Sequence, residues 1–162
     1  MKSQTATKTG SSGASDRLTK QPRIRILIVD DNQLLRTLLR ANLETQAEYE
    51  VVGEADDGFE AVRLTQAYQP DVVIMDISMP RKDGLTAAAE LTRDFPLVRV
   101  IMLSSNDDAF CVQQAIRAGA MGYLVKCGSA SVAVAITAIV NGHKYFDPTI
   151  AHHVPAKIHG VN

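Results

Sequence analysis

Three acidic residues and one lysine each follow a short apolar run of the sequence. Asp30 and Asp31 follow residues 24–29, Asp76 follows residues 72–75, and Lys126 follows residues 123–125. If these runs are parallel strands of an α/β sheet, their carboxyl ends lie along one edge, where such sheets bind ligands. Clustered carboxylates repel one another unless a cation or proton offsets them, and Mg²⁺ takes oxygen ligands of this kind. The pattern predicts phosphoryl chemistry at that edge.

The elements that would position these residues alternate along the chain. From Ile24 onward, strand-like apolar runs are separated by stretches with helical spacing, which is typical of repeated βα units around a parallel sheet. The predicted strands cover residues 24–29, 51–55, 71–76, 98–103 and 122–125. Residues 132–140 fit both helical and alternating patterns, but their length and the Asn141-Gly142 stop favour a helix. The prediction is five strands and five helices.

Composition limits the class of protein. The 162 residues suit one domain with a sizeable core, and Cys111 and Cys127 are the only cysteines. No apolar segment near the N-terminus resembles a signal peptide, so we expect a reducing, cytoplasmic setting. The longest apolar stretch, 131–140, is far shorter than the roughly 20 residues of a membrane span. We therefore expect a protein with no membrane partner.

Charge is unevenly distributed along the chain. Residues 1–23 hold five basic residues and one acidic residue, a net charge of +4, which leaves −5 for the remainder. The remainder lacks the basic surface of a nucleic-acid binder, so we expect no direct nucleic-acid binding by this chain. Residues 1–22 are rich in Ser, Thr, Gly and Lys, which predicts a disordered tail rather than a transit peptide.

No single motif is specific, but their joint arrangement is. Asp30 and Asp31 alone fit a helix cap, and Asp76 or Lys126 alone fits a turn or a solvated charge. Ser104 adds a hydroxyl after the fourth predicted strand, so four strand ends would present polar groups on a single edge. That coincidence favours a functional site.

These motifs resemble the receiver domain of bacterial two-component response regulators, in the CheY-like superfamily. The matching segments are Ile28-Val29-Asp30-Asp31-Asn32, Met75-Asp76-Ile77-Ser78-Met79-Pro80 with Asp83-Gly84, Leu103-Ser104-Ser105, and residues 119–126. The resemblance implies a doubly wound, flavodoxin-like α/β fold with five parallel strands in the order 2-1-3-4-5. It also divides the chain into an N-terminal tail, 1–22, a receiver domain, 23–143, and a C-terminal linker or tail, 144–162.

The resemblance implies a role for each acidic residue. Asp76 would be the phosphoacceptor, attacking a phosphohistidine of a sensor histidine kinase or phosphotransfer protein to form an aspartyl phosphate. Asp31, Asp76 and the backbone carbonyl of Ser78 would hold Mg²⁺, with Asp30 assisting through water. The chain would accept a phosphoryl group without being an enzyme beyond slow self-dephosphorylation.

The resemblance also implies a switch. Lys126 and the Ser104 hydroxyl would bind phosphoryl oxygens, and Ser104 would draw its loop inward to do so. Tyr123 resembles the family aromatic that turns inward with that loop and changes a protein-interaction surface. Two departures stand out: Ser104 replaces the more common Thr, and Cys127 replaces a frequent Pro.

Residues 142–148, Gly-His-Lys-Tyr-Phe-Asp-Pro, resemble the segment that follows the last receiver helix in LuxR/NarL-class regulators. In that class a helix-turn-helix domain acts on transcription. We therefore expect transcriptional control through a DNA-binding domain absent from this chain, or a stand-alone receiver that acts through protein contacts. The resemblance also allows homodimerisation on phosphorylation. His152, His153 and His159 are interpreted as solvated residues of a loose tail rather than a metal site.

Two other classes use similar elements. A dehalogenase-type phosphatase has an Asp nucleophile at a strand end, but it requires a second Asp at the position that Ser78 occupies. A flavodoxin-like FMN binder needs a hydroxyl-rich loop after the first strand, where Asp30 and Asp31 would repel a phosphate. Both classes are disfavoured.

Overall fold

A parallel six-stranded sheet with helices on both faces forms the protein. The computed structural model describes residues 22–126 and 131–158. The strands are β1 Ile24–Val29, β2 Tyr49–Ala55, β3 Val72–Met75, β4 Arg99–Ser104, β5 Gly122–Val125 and β6 Tyr145–Phe146. The helices are α1 Gln33–Leu43, α2 Gly58–Tyr68, α3 Gly84–Asp94, α4 Ala109–Arg117 and α5 Val132–Val140, followed by a 3₁₀ helix, Pro148–His153.

The sheet order is β2-β1-β3-β4-β5-β6, with all neighbours parallel. The predicted fold class and the order 2-1-3-4-5 of the first five strands are therefore confirmed. The strands are largely apolar because helices cover both faces of the sheet, so side chains on either face are buried. Leu27 and Val29 of β1 pack into one core, whereas Ile26 and Ile28 pack into the other.

The helices begin and end at residues suited to those positions. Asn32 caps α1 by accepting a hydrogen bond from the Leu35 N–H at 3.2 Å. Gly119 follows α4 with a φ of 89°, a left-handed conformation that favours glycine. The ambiguous stretch after Ser131 is helical, as predicted.

The C-terminal segment differs from its prediction. Tyr145 and Phe146 pair with β5 as a sixth strand, which a two-residue run is too short to indicate. The expectation of a loose segment around His152 and His153 is wrong, because both lie in the 3₁₀ helix, which the fully buried Ile150 anchors. Residues 1–21 of the predicted N-terminal tail lie outside the described residues, and so do Cys127 and His159.

Within the described residues, no helix is both long and apolar enough to cross a membrane.

Candidate functional site

The three acidic residues meet at the carboxyl edge of the sheet. Each of Asp30, Asp31 and Asp76 offers a carboxylate oxygen, and these oxygens all lie within 4.8 Å of one another. Asp30 and Asp76 are 1% and 5% exposed, whereas Asp31 lies open to solvent. This is the only such group of possible metal ligands among the described residues.

Strand pairing explains why these residues meet. Val29 and Met75 are partners in the β1–β3 ladder, so Asp30 and Asp76 leave the sheet side by side. The Asp76 N–H also donates to the Val29 carbonyl at 2.8 Å, which extends the ladder by one bond. The register of two parallel strands therefore fixes the spacing of two carboxylates.

Lys126 supplies the positive charge of the site. Its Nζ lies 2.7 Å from Asp30 Oδ2 and 3.2 Å from Asp76 Oδ1. The Lys126 N–H donates to the Ser104 carbonyl at 2.8 Å, so the lysine backbone is held at the end of β4. The predicted meeting of acids and lysine is present in the structure.

The donor set fits a divalent cation. Three carboxylates and one ammonium leave a formal charge of −2, which one Mg²⁺ neutralises. Opposite oxygen ligands of Mg²⁺ stand about 4.2 Å apart, so oxygens within 4.8 Å need only a small closure to bind it. The buried Asp30 Oδ2 has no donor with hydrogen-bond geometry, despite its short contact with the Lys126 ammonium. A metal-bound water would donate to that oxygen, in keeping with the water-mediated role that the resemblance gives Asp30.

We expect Mg²⁺ to stabilise the fold through this cluster. At ten times its dissociation constant, the ion should raise the free energy of unfolding by about 1.4 kcal/mol, because it binds only the folded state. Asp31→Asn should lose most of that gain, whereas Asp107→Asn, which changes an exposed acid outside the cluster, should keep it. Urea unfolding with and without Mg²⁺ measures the gain in each variant. An equal gain in the two variants would contradict the assignment of the Mg²⁺ site to the acid cluster.

Burial and charge set the protonation of the site. Burial raises the pKa of Asp76 above its ordinary value; the Lys126 ammonium lowers it, while the Asp30 carboxylate raises it further. Burial lowers the pKa of Lys126, but Asp30 and Asp76 outweigh burial, and the pKa lies above its ordinary value. The lysine is therefore charged at neutral pH, and the ionised form of Asp76 opposes folding.

Without Mg²⁺, we expect Asp76→Asn to be more stable than the wild type at pH 7. Because the pKa of Asp76 is raised in the folded protein, its carboxyl group stabilises the fold below the ordinary pKa of about 3.9. That stabilisation is lost as the pH rises through the pKa of the folded protein. The difference between the two proteins should therefore shrink as pH falls toward 4.

Asp83→Asn is the matched control for this measurement. Burial raises the pKa of Asp83, but hydrogen bonds from Thr86 outweigh burial and hold it below its ordinary value. This control should therefore gain no stability at pH 7. Urea unfolding across this pH range checks both variants, and a wild type that matches or exceeds Asp76→Asn at pH 7 would overturn the electrostatic argument.

Ser104 and Tyr123 are joined through one loop residue. The Asn106 N–H donates to Ser104 Oγ at 3.0 Å, and the Tyr123 hydroxyl donates to the Asn106 carbonyl at 2.6 Å. Tyr123 is fully buried, and burial raises its pKa to about 12. Both predicted switch residues therefore contact Asn106, and the Tyr123 ring already lies in the inward position that the resemblance assigns to the switched state.

Ser78 and Gly84 belong to the loop between β3 and α3. Ser78 is exposed two residues after Asp76, where its carbonyl remains a predicted ligand. The Gly84 N–H donates to the Ile77 carbonyl at 2.8 Å, and a Cβ at Gly84 would stand 1.9 Å from the Asp76 carbonyl oxygen. The loop therefore folds back against the backbone of the proposed phosphoacceptor.

Sequence reasoning missed Asp147. Its side chain is fully buried. Its Oδ1 accepts a hydrogen bond from the Thr149 N–H at 3.0 Å, and its Oδ2 accepts a long one from the Val125 N–H at 3.4 Å. The signal was the Asp147-Pro148 pair, because an acid followed by proline is typical of a helix start. It caps the 3₁₀ helix and holds the end of β5.

The fold and the acid cluster define a class, and comparison with known proteins confirms it. The family model described as the response regulator receiver domain matches residues 26–137, so the chain belongs to that family. Among solved structures, a LuxR-family two-component response regulator from Aurantimonas sp. SI85-9A1 superposes with a TM-score of 0.77 at 32% identity, covering 81% of this chain and 94% of the other. The receiver domain of NarL from Mycobacterium tuberculosis gives 0.70 at 33% identity, covering 75% and 99%.

Curated relatives point to the same class of regulator. The chain is 38% identical over 133 residues to the transcriptional regulatory protein DegU of Brevibacillus brevis, covering 82% of this chain and 56% of the relative. It is 38% identical over 136 residues to the transcriptional regulatory protein LiaR of Bacillus subtilis, covering 83% and 64%. The chain therefore spans less than two thirds of either relative, and the match is to a receiver of the LuxR/NarL type.

Proposed function

We propose that Asp76 accepts a phosphoryl group from a phosphohistidine on a sensor histidine kinase or phosphotransfer protein. The observation that carries this proposal is the meeting of Asp30, Asp31, Asp76 and Lys126 in one pocket. An Asp76 carboxylate oxygen attacks phosphorus, the bond from phosphorus to the donor nitrogen breaks, and an acyl phosphate forms on Asp76. The chain is thus an acceptor rather than an enzyme.

Each neighbour of Asp76 has a role in this transfer. Asp31, Asp76 and the Ser78 carbonyl would hold Mg²⁺, with Asp30 assisting through water, and the ion would supply positive charge beside the phosphoryl oxygens. Lys126 balances a further oxygen as a compact point charge, and its contact with Asp30 keeps it in place beforehand. Positioning and charge neutralisation account for most of the catalysis of phosphoryl transfer.

The output of the switch follows from Ser104 and Tyr123. When the Ser104 hydroxyl donates to a phosphoryl oxygen, the segment at Asn106 moves with it, and the hydrogen bond of the Tyr123 hydroxyl to the Asn106 carbonyl couples this movement to β5. The surface around α4, β5 and α5 changes as a result. Because DegU and LiaR are transcriptional regulators, we infer control of transcription through a DNA-binding domain, in the cytoplasm.

The proposal includes two other outputs and a division of the chain into three parts. A receiver that acts by protein contacts alone, or by homodimerisation on phosphorylation, uses the same site. The division into tail 1–22, receiver 23–143 and linker or tail 144–162 stays a prediction.

Incubation with acetyl phosphate and Mg²⁺, followed by intact mass spectrometry, tests the proposal. We expect the mass of one phosphoryl group to be added and chelation of Mg²⁺ to prevent it. An unchanged mass with both acetyl phosphate and phosphoramidate, which transfers from nitrogen as a phosphohistidine does, would count against an acceptor function.

A further inference from the structure

The β3–α3 loop, residues 76–83, contains the proposed phosphoacceptor and the proposed carbonyl ligand of Mg²⁺, Ser78. The ends of this loop are fixed, because Asp76 continues β3 and the Gly84 N–H donates to the Ile77 carbonyl at 2.8 Å. Ser78 itself is exposed to solvent. The position of its carbonyl group therefore depends on what holds the middle of the loop.

The turn between β2 and α2 holds the middle of the loop. The Arg81 guanidinium donates through Nη2 to Asp56 Oδ1 at 2.8 Å and through Nε to Asp57 Oδ2. The Gly58 N–H donates to the Lys82 carbonyl at 3.0 Å. A Cβ at Gly58 would stand 2.8 Å from that carbonyl oxygen, so the two backbones lie in close contact. The β3–α3 loop is thus supported by a neighbouring turn as well as by its own ends.

Arg81 has a backbone conformation that residues with a side chain rarely adopt. Its φ is 64°, in the left-handed region. Among the described residues, Gln69 is the only other non-glycine residue with a positive φ, and it follows α2, where such conformations commonly end a helix. No helix ends at Arg81. A strained conformation of this kind persists only when surrounding contacts fix it, and the contacts with Asp56 and Asp57 do so.

Asp57 can hold the Arg81 guanidinium because its own side chain is fixed. Asp57 is 3% exposed, and its Oδ1 accepts from the Glu60 N–H at 2.8 Å as the cap of α2. Burial raises the pKa of Asp57, but hydrogen bonds from Glu60 and Arg81 outweigh burial and hold it below its ordinary value. The contact therefore differs from an exposed ion pair between two flexible side chains, which contributes little.

We propose that Arg81, held by Asp57, is a positioning residue that keeps the Ser78 carbonyl of the β3–α3 loop in place for Mg²⁺. The inference rests on the proposed phosphoacceptor site and its Mg²⁺. Without the contact between Arg81 and Asp57 the loop occupies several conformations, and only the fraction with the carbonyl in place binds the ion. The dissociation constant of Mg²⁺ rises as that fraction falls. Arg81 acts through the backbone of the loop rather than as a ligand.

Calorimetric titration of the full 162-residue chain with Mg²⁺ tests this role in Arg81→Gly. Glycine adopts a positive φ readily, so this variant keeps the backbone conformation and loses the ion pairs. We expect the dissociation constant of Mg²⁺ to rise about fivefold, as for a loop that presents the carbonyl about one fifth of the time. Loss of a positive charge would by itself strengthen cation binding, so the expected change opposes the charge effect. An unchanged or smaller dissociation constant would overturn the inference.

Asp57→Asn tests the other partner of the contact. Asparagine still caps α2 but carries no charge to hold Arg81. The dissociation constant should rise about fivefold in the wild-type background and less than about twofold in the Arg81→Gly background, where the contact is already absent. An equal rise in both backgrounds would show that Asp57 acts independently of Arg81 and would refute the pairing.

Arg63→Ala is the matched control, because it also removes one positive charge from the cleft that Arg81 lines. Arg63 pairs with Glu60 of its own helix at 2.5 Å. Its replacement should leave the dissociation constant unchanged or lower it, and a rise equal to that of Arg81→Gly would refute the special role of Arg81. Circular dichroism checks the fold, and if one variant of the contact does not fold, the other decides the proposal. A wild-type chain that binds no Mg²⁺ defeats the metal site as well, whereas binding that neither variant changes overturns this inference alone.

Discussion

Asp76→Asn is expected to lose phosphorylation by acetyl phosphate, with a fall in rate on the order of a thousandfold or more. The amide nitrogen or oxygen of asparagine does not replace the carboxylate that attacks phosphorus. The pocket itself should survive, because Lys126 keeps its 2.7 Å contact with Asp30 when Asp76 is changed. Intact mass against time, in the presence of Mg²⁺, measures the loss.

Asp83→Asn is the matched control for this prediction. Asp83 caps α3 in the same loop and accepts from the Thr86 N–H at 3.0 Å, a role that asparagine also fills. It should take up phosphoryl groups as the wild type does. Wild-type uptake in Asp76→Asn would move the acceptor to another residue and remove the basis of the proposed function.

Gly84→Ala is expected to have the second large effect. An added Cβ would lie 1.9 Å from the carbonyl oxygen and 2.8 Å from the carbonyl carbon of Asp76, and backbone atoms cannot turn aside as a flexible side chain can. We expect a loss of about 3 kcal/mol in the free energy of unfolding. The forced shift of Asp76 should also slow phosphorylation in the molecules that remain folded.

Gly53→Ala gives the comparison for Gly84. At Gly53 an added Cβ would meet ring atoms of the 42% exposed Tyr68 at 3.1 and 3.2 Å and the terminal Cδ1 of Leu27 at 3.3 Å, and these are side-chain ends, which need to move by only a few tenths of an ångström. Its cost should stay within about 1 kcal/mol, with phosphorylation unchanged. Urea unfolding and the mass assay measure both, and similar losses in the two variants would show that the approach of Gly84 to Asp76 has no special importance.

The central part of the site was predictable because its residues directly follow the ends of strands. Asp30, Asp76 and Lys126 each follow an apolar run, and parallel strands bring their carboxyl ends together whatever the details of packing. The sequence therefore indicated which side chains meet, although it contained no distance between them.

The switch and the close approaches were not predictable in the same way. The hydrogen bonds of Asn106 to Ser104 and Tyr123 depend on the path of one loop, for which no periodicity exists. The contact of Gly84 with Asp76 depends on how the β3–α3 loop folds back. Such features follow from tertiary structure, where several segments of the chain meet.

The C-terminal segment shows a further limit of pattern reasoning. A two-residue strand has too few positions to reveal alternation, so β6 was absent from the five-strand prediction. The buried Asp147 gave only the weak signal of an acid before proline. A long-range contact with β5 gives this segment its structure.

Two alternative classes of protein would handle phosphate differently from the proposed phosphoacceptor. A phosphatase of the dehalogenase type would turn over a phosphate ester, and this requires an acidic residue at position 78. This chain has the exposed Ser78 there, which offers no carboxylate. An FMN binder would place a phosphate beside Asp30 and Asp31, and the formal charge of the acid cluster opposes that. Neither activity is expected from this pocket.

The most direct test maps the acyl phosphate to its residue. After incubation with acetyl phosphate and Mg²⁺, borohydride reduces an aspartyl phosphate to homoserine, and peptide mass spectrometry then locates the altered position. We predict homoserine at position 76 alone, and none when Mg²⁺ is chelated. Homoserine at another acidic position, with position 76 unchanged, would contradict the assignment of Asp76 as the phosphoacceptor.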